Sequence, residues 1–230
     1  MQYIKGLDAF DGRNQTAVTL GKFDGLHRGH QKLLNRIMKY AQKEDCDSVV
    51  CAFDMDRDCL MTNEERRAFL EDKVDYLIEI PFTREMMEME AEKFIEEILY
   101  KKLHASHIVV GTDFNFGHEK RGNHQMLEKY AAKYGYTVDV VEKAYYKDRE
   151  ISSTYIRELL LDGNVPLANE LLGYPYEITS VVEHGQQLGR TLGFPTMNLA
   201  PQEKKILPKY GVYACRVLVD GVWYGGVGNA

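Results

Sequence analysis

The stretch that decides the fold is Gly21-Lys22-Phe23-Asp24-Gly25-Leu26-His27-Arg28-Gly29-His30. It follows an apolar run at residues 16–21 and precedes residues 29–42, where apolar side chains recur at helical spacing. This order predicts a strand that turns sharply into a helix. Glycines let such a turn approach a ligand closely, and the helix N-terminus offers free N–H groups to an anion. We therefore expect a phosphate site at the carboxyl end of a strand.

The same alternation of β-rich and helical patterns continues to about residue 172. Several of the β-rich runs are continuously apolar, which is typical of strands buried on both faces. The alternation indicates a doubly wound α/β domain, in which helices cover both faces of a parallel sheet. Strands are predicted at residues 16–21, 48–53, 76–80, 107–111 and 137–141, and helices at 29–42, 62–71, 86–103, 125–134, 152–161 and 165–172.

The pattern changes after Gly173. Residues 176–182 and 212–219 alternate like antiparallel strands, and Asp220-Gly221 predicts a hairpin turn into a further strand at 222–226. We expect a domain of residues 1–173 and a second of residues 174–230. These few strands can hardly close a barrel. We therefore expect the second domain to be a partial antiparallel β-barrel, either truncated or completed by strands from elsewhere.

Composition limits the class of protein. The chain is 44% hydrophobic and 28% charged, which supports a packed core and excludes wholesale disorder. With 29 basic against 35 acidic residues, a broad nucleic-acid surface is not expected. The apolar runs are too short to cross a membrane and residues 1–11 do not resemble a secretory signal, so we expect a cytoplasmic protein. The cysteines show no Cys-x-x-Cys spacing and are expected to be reduced and mostly buried. The oligomeric state stays open.

The histidines give the opening turn its chemistry. His27 and His30 lie on the same side of an incipient helical turn, where they can donate to phosphate oxygens and neutralise the charge that develops in phosphoryl or nucleotidyl transfer. No Gly-Lys-Ser/Thr follows, so a Walker-type kinase loop is not indicated. The alternative is a glycine-rich turn with two solvent-exposed histidines, which the position between a strand and a helix disfavours.

Two motifs resemble a known family. His27-x-Gly29-His30 resembles the His-x-Gly-His signature of the nucleotidyltransferase superfamily, and the longer turn resembles the bacterial bifunctional riboflavin kinase/FAD synthetase family. Ile151-Ser152-Ser153-Thr154-Tyr155-Ile156-Arg157 is similar to the Ile-Ser-Ser-Thr-x-x-Arg signature of that superfamily. The resemblance implies a Rossmann-like nucleotidyltransferase domain, FMN adenylyltransferase activity, ATP and FMN as substrates, and Mg²⁺ as the cofactor.

The resemblance also implies a role for each matching residue. An acidic side chain at a strand end can hold ribose hydroxyls, and an aromatic ring can stack on a flat ligand. Among the aromatic residues that follow Asp113, Phe114 is expected to fill the core. The implied catalytic residues are His27, His30 and Arg157; the ATP contacts are Gly21, Phe23, Asp24, Gly25, Asp113, Ser153 and Thr154; the flavin contacts are Phe53 and Phe116.

One loop departs from the family. After the second predicted strand the family usually has Phe-x-Pro-His-Pro, whereas this chain has Phe53-Asp54-Met55-Asp56-Arg57. Because proline fixes φ, its absence reshapes a loop that helps to form the flavin pocket. The sequence therefore supports ATP handling better than flavin specificity.

A second glycine-rich segment resembles riboflavin kinase. Residues 185–199 match the signature Gly-Arg-x-Leu-Gly-Phe-Pro-Thr-x-Asn-Leu, which implies that Gly189, Thr196 and Asn198 contact ATP and Mg²⁺, with the Thr196 hydroxyl on the metal. In the family the catalytic glutamate follows well after this segment. We therefore expect the chain as written not to phosphorylate riboflavin.

Two other functions stay open on the sequence. One is a His-x-Gly-His transferase that uses a different phosphate acceptor, which the altered loop at residues 53–57 permits. The other is a flavin- or nucleotide-binding module without catalysis, which the intact His27, His30 and Arg157 disfavour.

Overall fold

The computed structural model describes residues 1–54, 57–185, 191, 193 and 196–230. The strands within this part of the chain are β1 (Gln2–Lys5), β2 (Gln15–Gly21), β3 (Cys46–Asp54), β4 (Tyr76–Pro81), β5 (Ala105–Gly111), β6 (Asn115–Phe116), β7 (Gly122–Asn123), β8 (Thr137–Val141), β9 (Tyr145–Tyr146), β10 (Arg149–Glu150), β11 (Val182–Glu183), β12 (Asn198–Leu199), β13 (Val212–Val219) and β14 (Val222–Asn229). The α-helices are α1 (Arg28–Lys43), α2 (Asn63–Leu70), α3 (Arg84–Glu88), α4 (Ala91–Lys93), α5 (His124–Tyr134), α6 (Ser153–Asp162) and α7 (Val165–Leu172). Short 3-10 helices cover Leu7–Ala9 and His118–Lys120, and a π-helical segment, Phe94–Lys102, continues α4.

A six-stranded sheet organises the first domain, with strand order β1-β4-β3-β2-β5-β8. Every neighbouring pair in it is parallel. The chain leaves the central strand β2 for β3 on one side and later returns to β5 on the other. The order of the strands therefore reverses between β2 and β5, and ligands of open α/β sheets bind at that point, beyond the carboxyl ends of the strands.

Alternate residues of the strands point into two separate cores. On one face Ala17 packs in a cluster with Leu34 and Ile37 of α1. On the other face Val18 packs in a cluster that contains Ile95 of the π-helical segment and Leu127 of α5. The predicted doubly wound parallel sheet is confirmed. The edge strand β1, only four residues long, was not predicted because so short a run carries little periodicity.

Most predicted helix boundaries agree with the structure, but one predicted helix is wrong. The Thr62 side chain and Glu65 form the expected capping box of α2, and Gly135 ends α5 in the left-handed conformation at φ 75°. Residues 86–103, predicted as one helix, instead divide into α3 and α4 with its π-helical continuation. The break follows from a tertiary contact, because the His118 N–H donates to the Met89 carbonyl oxygen at 2.7 Å.

The second domain contains antiparallel pairs, as expected of a partial barrel. β11 pairs with β12 and β13 pairs with β14, and Asp220 and Gly221 form the predicted hairpin turn, both with positive φ. The strand predicted at residues 176–182 is largely wrong, since only Val182 and Glu183 belong to a strand. The tyrosines that precede them bind the first domain and the nearby chain instead: the Tyr174 hydroxyl donates to the Gly25 carbonyl oxygen at 2.5 Å and the Tyr176 hydroxyl to that of Ile206 at 2.6 Å.

All four cysteines are unpaired, as expected, although only Cys51 is fully buried. Among the described residues, no helix combines the length and the apolar character needed to cross a membrane.

Candidate active site

The turn between β2 and α1 is a tight, buried structure. Phe23, Gly25 and Leu26 adopt positive φ angles of 45°, 79° and 35°. The Phe23 and Leu26 side chains are fully buried, so the core holds these strained residues in place. A Cβ on Gly25 would lie 2.9 Å from the Leu60 Cδ1, which explains the requirement for glycine there. The turn therefore presents a fixed surface at the point where the sheet changes direction.

The two histidines stack against each other on this turn. The ring centroids of His27 and His30 are 3.8 Å apart with an angle of 22° between the planes, and neither Nδ1 has a hydrogen-bond partner among the described residues. Burial lowers the pKa of His27 to about 4. Burial also holds the pKa of His30 well below its usual range, and the charges of His27 and Arg66 lower it further. Both rings are therefore neutral near pH 7, and the Nδ1 of each is buried with its hydrogen-bonding capacity unused by the described residues.

The second predicted motif lies directly against this turn. Arg157 of α6 donates from Nη2 to the Asp24 Oδ2 at 2.6 Å, and the Ser153 hydroxyl donates to the Asp24 carbonyl oxygen at 2.8 Å. Arg157 stays partly exposed and its buried Nε has no partner among the described residues. The structure thus brings the guanidinium of α6 and the imidazoles of α1 to the same end of the sheet.

Asp24, which is predicted to contact ATP, is bound by other groups of the protein. It is 5% exposed, and its Oδ1 accepts from the Leu60 amide at 2.7 Å and the Met61 amide at 3.3 Å, while Oδ2 accepts from Arg157. Both carboxylate oxygens are therefore occupied by protein donors. In this structure Asp24 orients Arg157 and holds the segment that follows residue 58.

Asp113 follows β5 at the other side of the switch point. Its exposed carboxylate forms an ion pair with Lys143 at 3.0 Å, and Lys143 also binds Glu150 at 2.8 Å. Thr154 is exposed at the start of α6. Both side chains are exposed, and their contacts with ATP stay a prediction.

The two aromatic residues predicted at the flavin differ in environment. Phe53 is half-buried at the end of β3 and meets the exposed Phe82 edge-on at 5.8 Å. Phe116 is only 7% exposed and packs against Phe94 and Phe114 at centroid distances of 5.3 and 5.5 Å. Phe114, which is expected to fill the core, is partly buried and packs against the core cluster, and Phe116 is the more buried of the two.

A cavity of about 580 Å³ opens beside the turn, between the ends of β3 and β4 and the start of α2. Residues of both domains line it, including Phe53 and Phe82 from the first domain and Gln202 from the second. Its cationic lining residues are Lys22, Arg57, Arg66, Lys204 and Lys205, and its acidic ones are Asp24, Asp54 and Glu64. An apolar wall with an excess of cations suits an aromatic ligand that carries negative charge.

Arg66 is a member of this cavity that sequence reasoning missed. It is 5% exposed, its Nη1 lies 3.4 Å from the buried Glu79 Oε1, and its Nε has no partner among the described residues. The only signal in the sequence is its place in the first turns of an amphipathic helix, where arginines are usually solvated. Its burial beside the histidines depends on the sheet and cannot be read from local pattern.

The residues that resemble a kinase site stand apart from the turn. Thr196 and Asn198 are exposed in the second domain, and Gly189 lies outside the described residues. Among the described residues, no group of three or more His, Cys, Asp or Glu side chains is arranged so that it could bind a metal ion. A hydroxyl and an amide are neutral oxygen donors, so they fit a Mg²⁺ ion that substrate phosphates hold for the most part.

A parallel sheet with a histidine pair at its switch point and a Ser-Thr-Arg helix start beside it defines a nucleotidyltransferase-like α/β domain. A protein-family model described as FAD synthetase matches residues 10–155, and one described as riboflavin kinase matches residues 172–230. The chain belongs to the bifunctional riboflavin kinase/FMN adenylyltransferase family. The second match does not support the expectation that kinase function is missing, while the domain division at residue 173 stays a prediction.

Individual relatives agree with this assignment. The chain is 34% identical to the bifunctional riboflavin kinase/FMN adenylyltransferase of Escherichia coli strain K12, over 95% of this chain and 74% of that protein. It is 37% identical to the protein of the same name from Haemophilus influenzae, over 100% of this chain and 78% of that protein. A crystal structure described as a macrolide-efflux protein from Streptococcus pneumoniae is similar with a TM-score of 0.88 and 30% identity, over 99% of this chain and 78% of that chain.

Proposed function

We propose that the chain transfers AMP from ATP to FMN and releases FAD and pyrophosphate. The observation that carries this proposal is that two stacked, neutral imidazoles and the Arg157 guanidinium lie at the same end of the sheet, where Arg157 binds Asp24 of the turn that carries the histidines. Membership of the family supports the choice of ATP and FMN as substrates. A neighbouring cavity with aromatic walls and several cations supports an acceptor with a flat ring and a phosphate.

The reaction needs no covalent intermediate on the protein. An oxygen of the FMN phosphate attacks the α-phosphorus of ATP, the bond from that phosphorus to the bridging oxygen breaks, and pyrophosphate departs with the electron pair. The task of the protein is then to position the two phosphates and to stabilise the charge that develops. Mg²⁺, when bound by the phosphates, supplies further charge neutralisation.

The histidines would act on the triphosphate. A neutral imidazole can donate one N–H to a phosphate oxygen, and a bound anion raises the pKa of the ring so that a proton on it becomes easier to hold. Because His27 and His30 lie at the beginning of α1, free backbone N–H groups add to the same anion site. Both features favour the more highly charged transition state over the free enzyme.

Residues of α6 would hold the departing pyrophosphate. Ser153 and Thr154 are the first residues of that helix, where amide groups are free, and Arg157 is on its next turn. Asp24 fixes one Nη of Arg157, so the remaining N–H groups are pre-oriented for a phosphate oxygen. Asp113, exposed at the end of β5, would hold the ribose of ATP, and Phe53 would contact the flavin ring.

One assay separates this function from its rivals. The chain is incubated with FMN, α-labelled ATP and Mg²⁺, and the products are separated by chromatography. Labelled FAD supports the proposal. Turnover only with another phosphate acceptor favours a different His-x-Gly-His transferase, and tight binding of FMN or ATP without turnover favours a binding module; each of these results contradicts the proposal.

The match of residues 172–230 to riboflavin kinase favours a second activity, phosphorylation of riboflavin by ATP. Thr196 and Asn198 would contribute neutral oxygen donors to the phosphates and Mg²⁺ at that site. The test uses riboflavin and γ-labelled ATP, with labelled FMN as the expected product. Absence of labelled FMN, in a preparation that does make FAD, would exclude this activity for the chain.

A further inference from the structure

A buried lysine connects the second domain to the candidate active site. Lys205 is 7% exposed, although lysine is almost never buried without a partner. Its Nζ donates to the Glu65 Oε2 at 2.6 Å and to the Leu60 carbonyl oxygen at 2.8 Å, and it lies 4.5 Å from the centroid of the Tyr176 ring. Two partners and an aromatic face thus fix this ammonium group between the domains.

The backbone around Lys205 fastens the same place. The Cys59 amide donates to the Lys204 carbonyl oxygen at 2.8 Å, and the Ile206 amide donates to the Cys59 carbonyl oxygen at 3.0 Å. Cys59 and Lys205 therefore form a parallel β-bridge that joins two segments far apart in the sequence. We call residues 59–61 of the first domain the bridge segment. The second domain holds this segment through the backbone hydrogen bonds of Cys59 and through the Lys205 side chain, which binds the Leu60 carbonyl oxygen.

The bridge segment leads directly to Arg157. The Leu60 amide donates to the Asp24 Oδ1 at 2.7 Å, and the other oxygen of Asp24 accepts from Arg157 at 2.6 Å. Leu60 links the Lys205 ammonium to this carboxylate, because the Leu60 carbonyl oxygen accepts from Lys205 and the Leu60 amide donates to Asp24. A shift of Leu60 would therefore move Asp24 and, with it, the guanidinium.

We infer that Lys205 is a positioning residue for adenylyl transfer: it holds the bridge segment so that Asp24 keeps Arg157 aligned with the departing pyrophosphate. Neither domain completes this alignment by itself, because the lysine comes from the second and the aligned groups from the first. The inference rests on the proposed function for its catalytic readout, while its structural readout, the stability of the Leu60 amide, does not. Lys205 itself touches no reacting atom.

The first test replaces the ammonium group with an apolar chain of similar length, Lys205→Met. We expect the turnover number for FAD formation to fall by about tenfold or more, because even a small misplacement of an aligned group slows the reaction. The affinity for FMN should change by less than about twofold. The matched control is Lys209→Met, which alters an exposed lysine of the same region and leaves the turnover number unchanged. An unchanged turnover number in Lys205→Met would overturn the inference.

A double-mutant cycle separates positioning from a merely structural role. Arg157→Lys, Lys205→Met and the double variant are compared in turnover number. If Lys205 acts through Asp24 and Arg157, the Lys205 substitution costs much less once Arg157 has already been altered. Effects that simply multiply in the double variant would show that Lys205 supports the fold and nothing more.

Amide exchange keeps the test decisive if Lys205→Met is poorly folded. Glu65→Gln is a milder variant, because glutamine can still complete the capping box of α2 while it weakens the partner of Lys205. Deuterium exchange at the Leu60 and Met61 amides should accelerate by about tenfold in either variant, in excess of any change in the core strands. Unaltered exchange there contradicts the inference even if the wild-type chain makes no FAD, an outcome that would count against the proposed function alone.

Discussion

At the scale of single residues, the histidine pair is the most unusual feature of the site. An ordinary histidine has a pKa of 6.5, whereas burial lowers that of His27 to about 4. Such a ring is neutral in the folded protein and protonated in the unfolded chain throughout the interval between those values. Neutrality keeps a buried pair of rings from repelling one another and leaves them able to donate to an incoming phosphate.

This difference in pKa predicts how stability depends on pH. Between pH 6.5 and pH 4 the unfolded chain binds a proton at His27 that the folded chain does not bind, so stability falls as the pH falls. The loss from His27 alone is about 3 kcal/mol over that interval. Urea unfolding at a series of pH values measures this loss, and in His27→Gln the total loss of stability between pH 6.5 and pH 4 should be smaller by that amount. An identical loss of stability in wild type and variant would contradict the depressed pKa.

Removing either ring should affect the reaction more than substrate binding. We expect His27→Ala and His30→Ala each to lower the turnover number for FAD formation by about 10²-fold, the usual effect of losing one donor at a developing charge. The affinity for FMN, measured by quenching of flavin fluorescence, should change by less than about twofold. His184→Ala, which removes an exposed histidine of the second domain, is the control. Normal turnover in both site variants would exclude these rings from the mechanism.

Sequence reasoning could find the residues whose chemistry is written in local motifs. His27, His30 and Arg157 belong to short signatures beside a predicted strand end or helix start, so their position at the site followed from topology. Arg66 and Lys205 could not be found in this way, because a charged residue in a polar segment is usually solvated and only long-range packing buries these two. The relative burial of Phe114 and Phe116 could not be found for a similar reason, since the segment that contains them is too short to show a periodicity.

At the scale of secondary-structure elements, the turn between β2 and α1 depends on glycine at one position. Gly25 has φ 79°, and an added Cβ would meet the Leu60 side chain at 2.9 Å. Gly135 has a similar φ of 75° with no atom within 4 Å of an added Cβ. The two glycines therefore share the backbone requirement and differ in the steric one, which makes them a matched pair.

We expect Gly25→Ala to destabilise the protein by about 2–4 kcal/mol, because it adds a contact with Leu60 to the cost of the left-handed conformation. Gly135→Ala should cost only the conformational part, about 1–2 kcal/mol. Chemical unfolding measures both, and FAD formation should be impaired only in Gly25→Ala, since Leu60 also holds Asp24. Equal losses of stability in the two variants would show that the space around Gly25 is not limiting.

The predicted elements that failed were overridden by contacts between distant segments. Residues 86–103 have a continuous helical pattern, yet the Met89 carbonyl oxygen accepts from the His118 amide and the helix breaks there. Residues 176–181 have a strand pattern, but the Thr179 amide donates to the Glu65 Oε1 instead of to a neighbouring strand. In both places the local sequence allowed the predicted element and a partner from elsewhere in the chain removed it.

At the scale of the whole molecule, the two domains differ in how their strands are covered. The central strands of the parallel sheet have helices on both faces and are almost fully buried. In the β13–β14 hairpin, large apolar residues remain exposed, among them Val212 at 74% and Val227 at 77%. An isolated two-stranded hairpin has little stability of its own in water. The change of sequence pattern at Gly173 could not predict this unequal coverage, because the coverage depends on which strands find partners.

Hydrogen exchange should reveal this difference directly. Amides of β2 and β3 have neighbouring strands on both sides, so we expect them to exchange only through the largest opening reactions of the protein. Amides of β13 and β14 bond only to each other among the described residues, so they should exchange faster by several orders of magnitude. Mass spectrometry after pulses of deuterium measures both regions in one sample. Equal protection would mean that another strand or a second copy of the chain covers the hairpin, and repeating the measurement after dilution would tell these apart, because only a second copy dissociates.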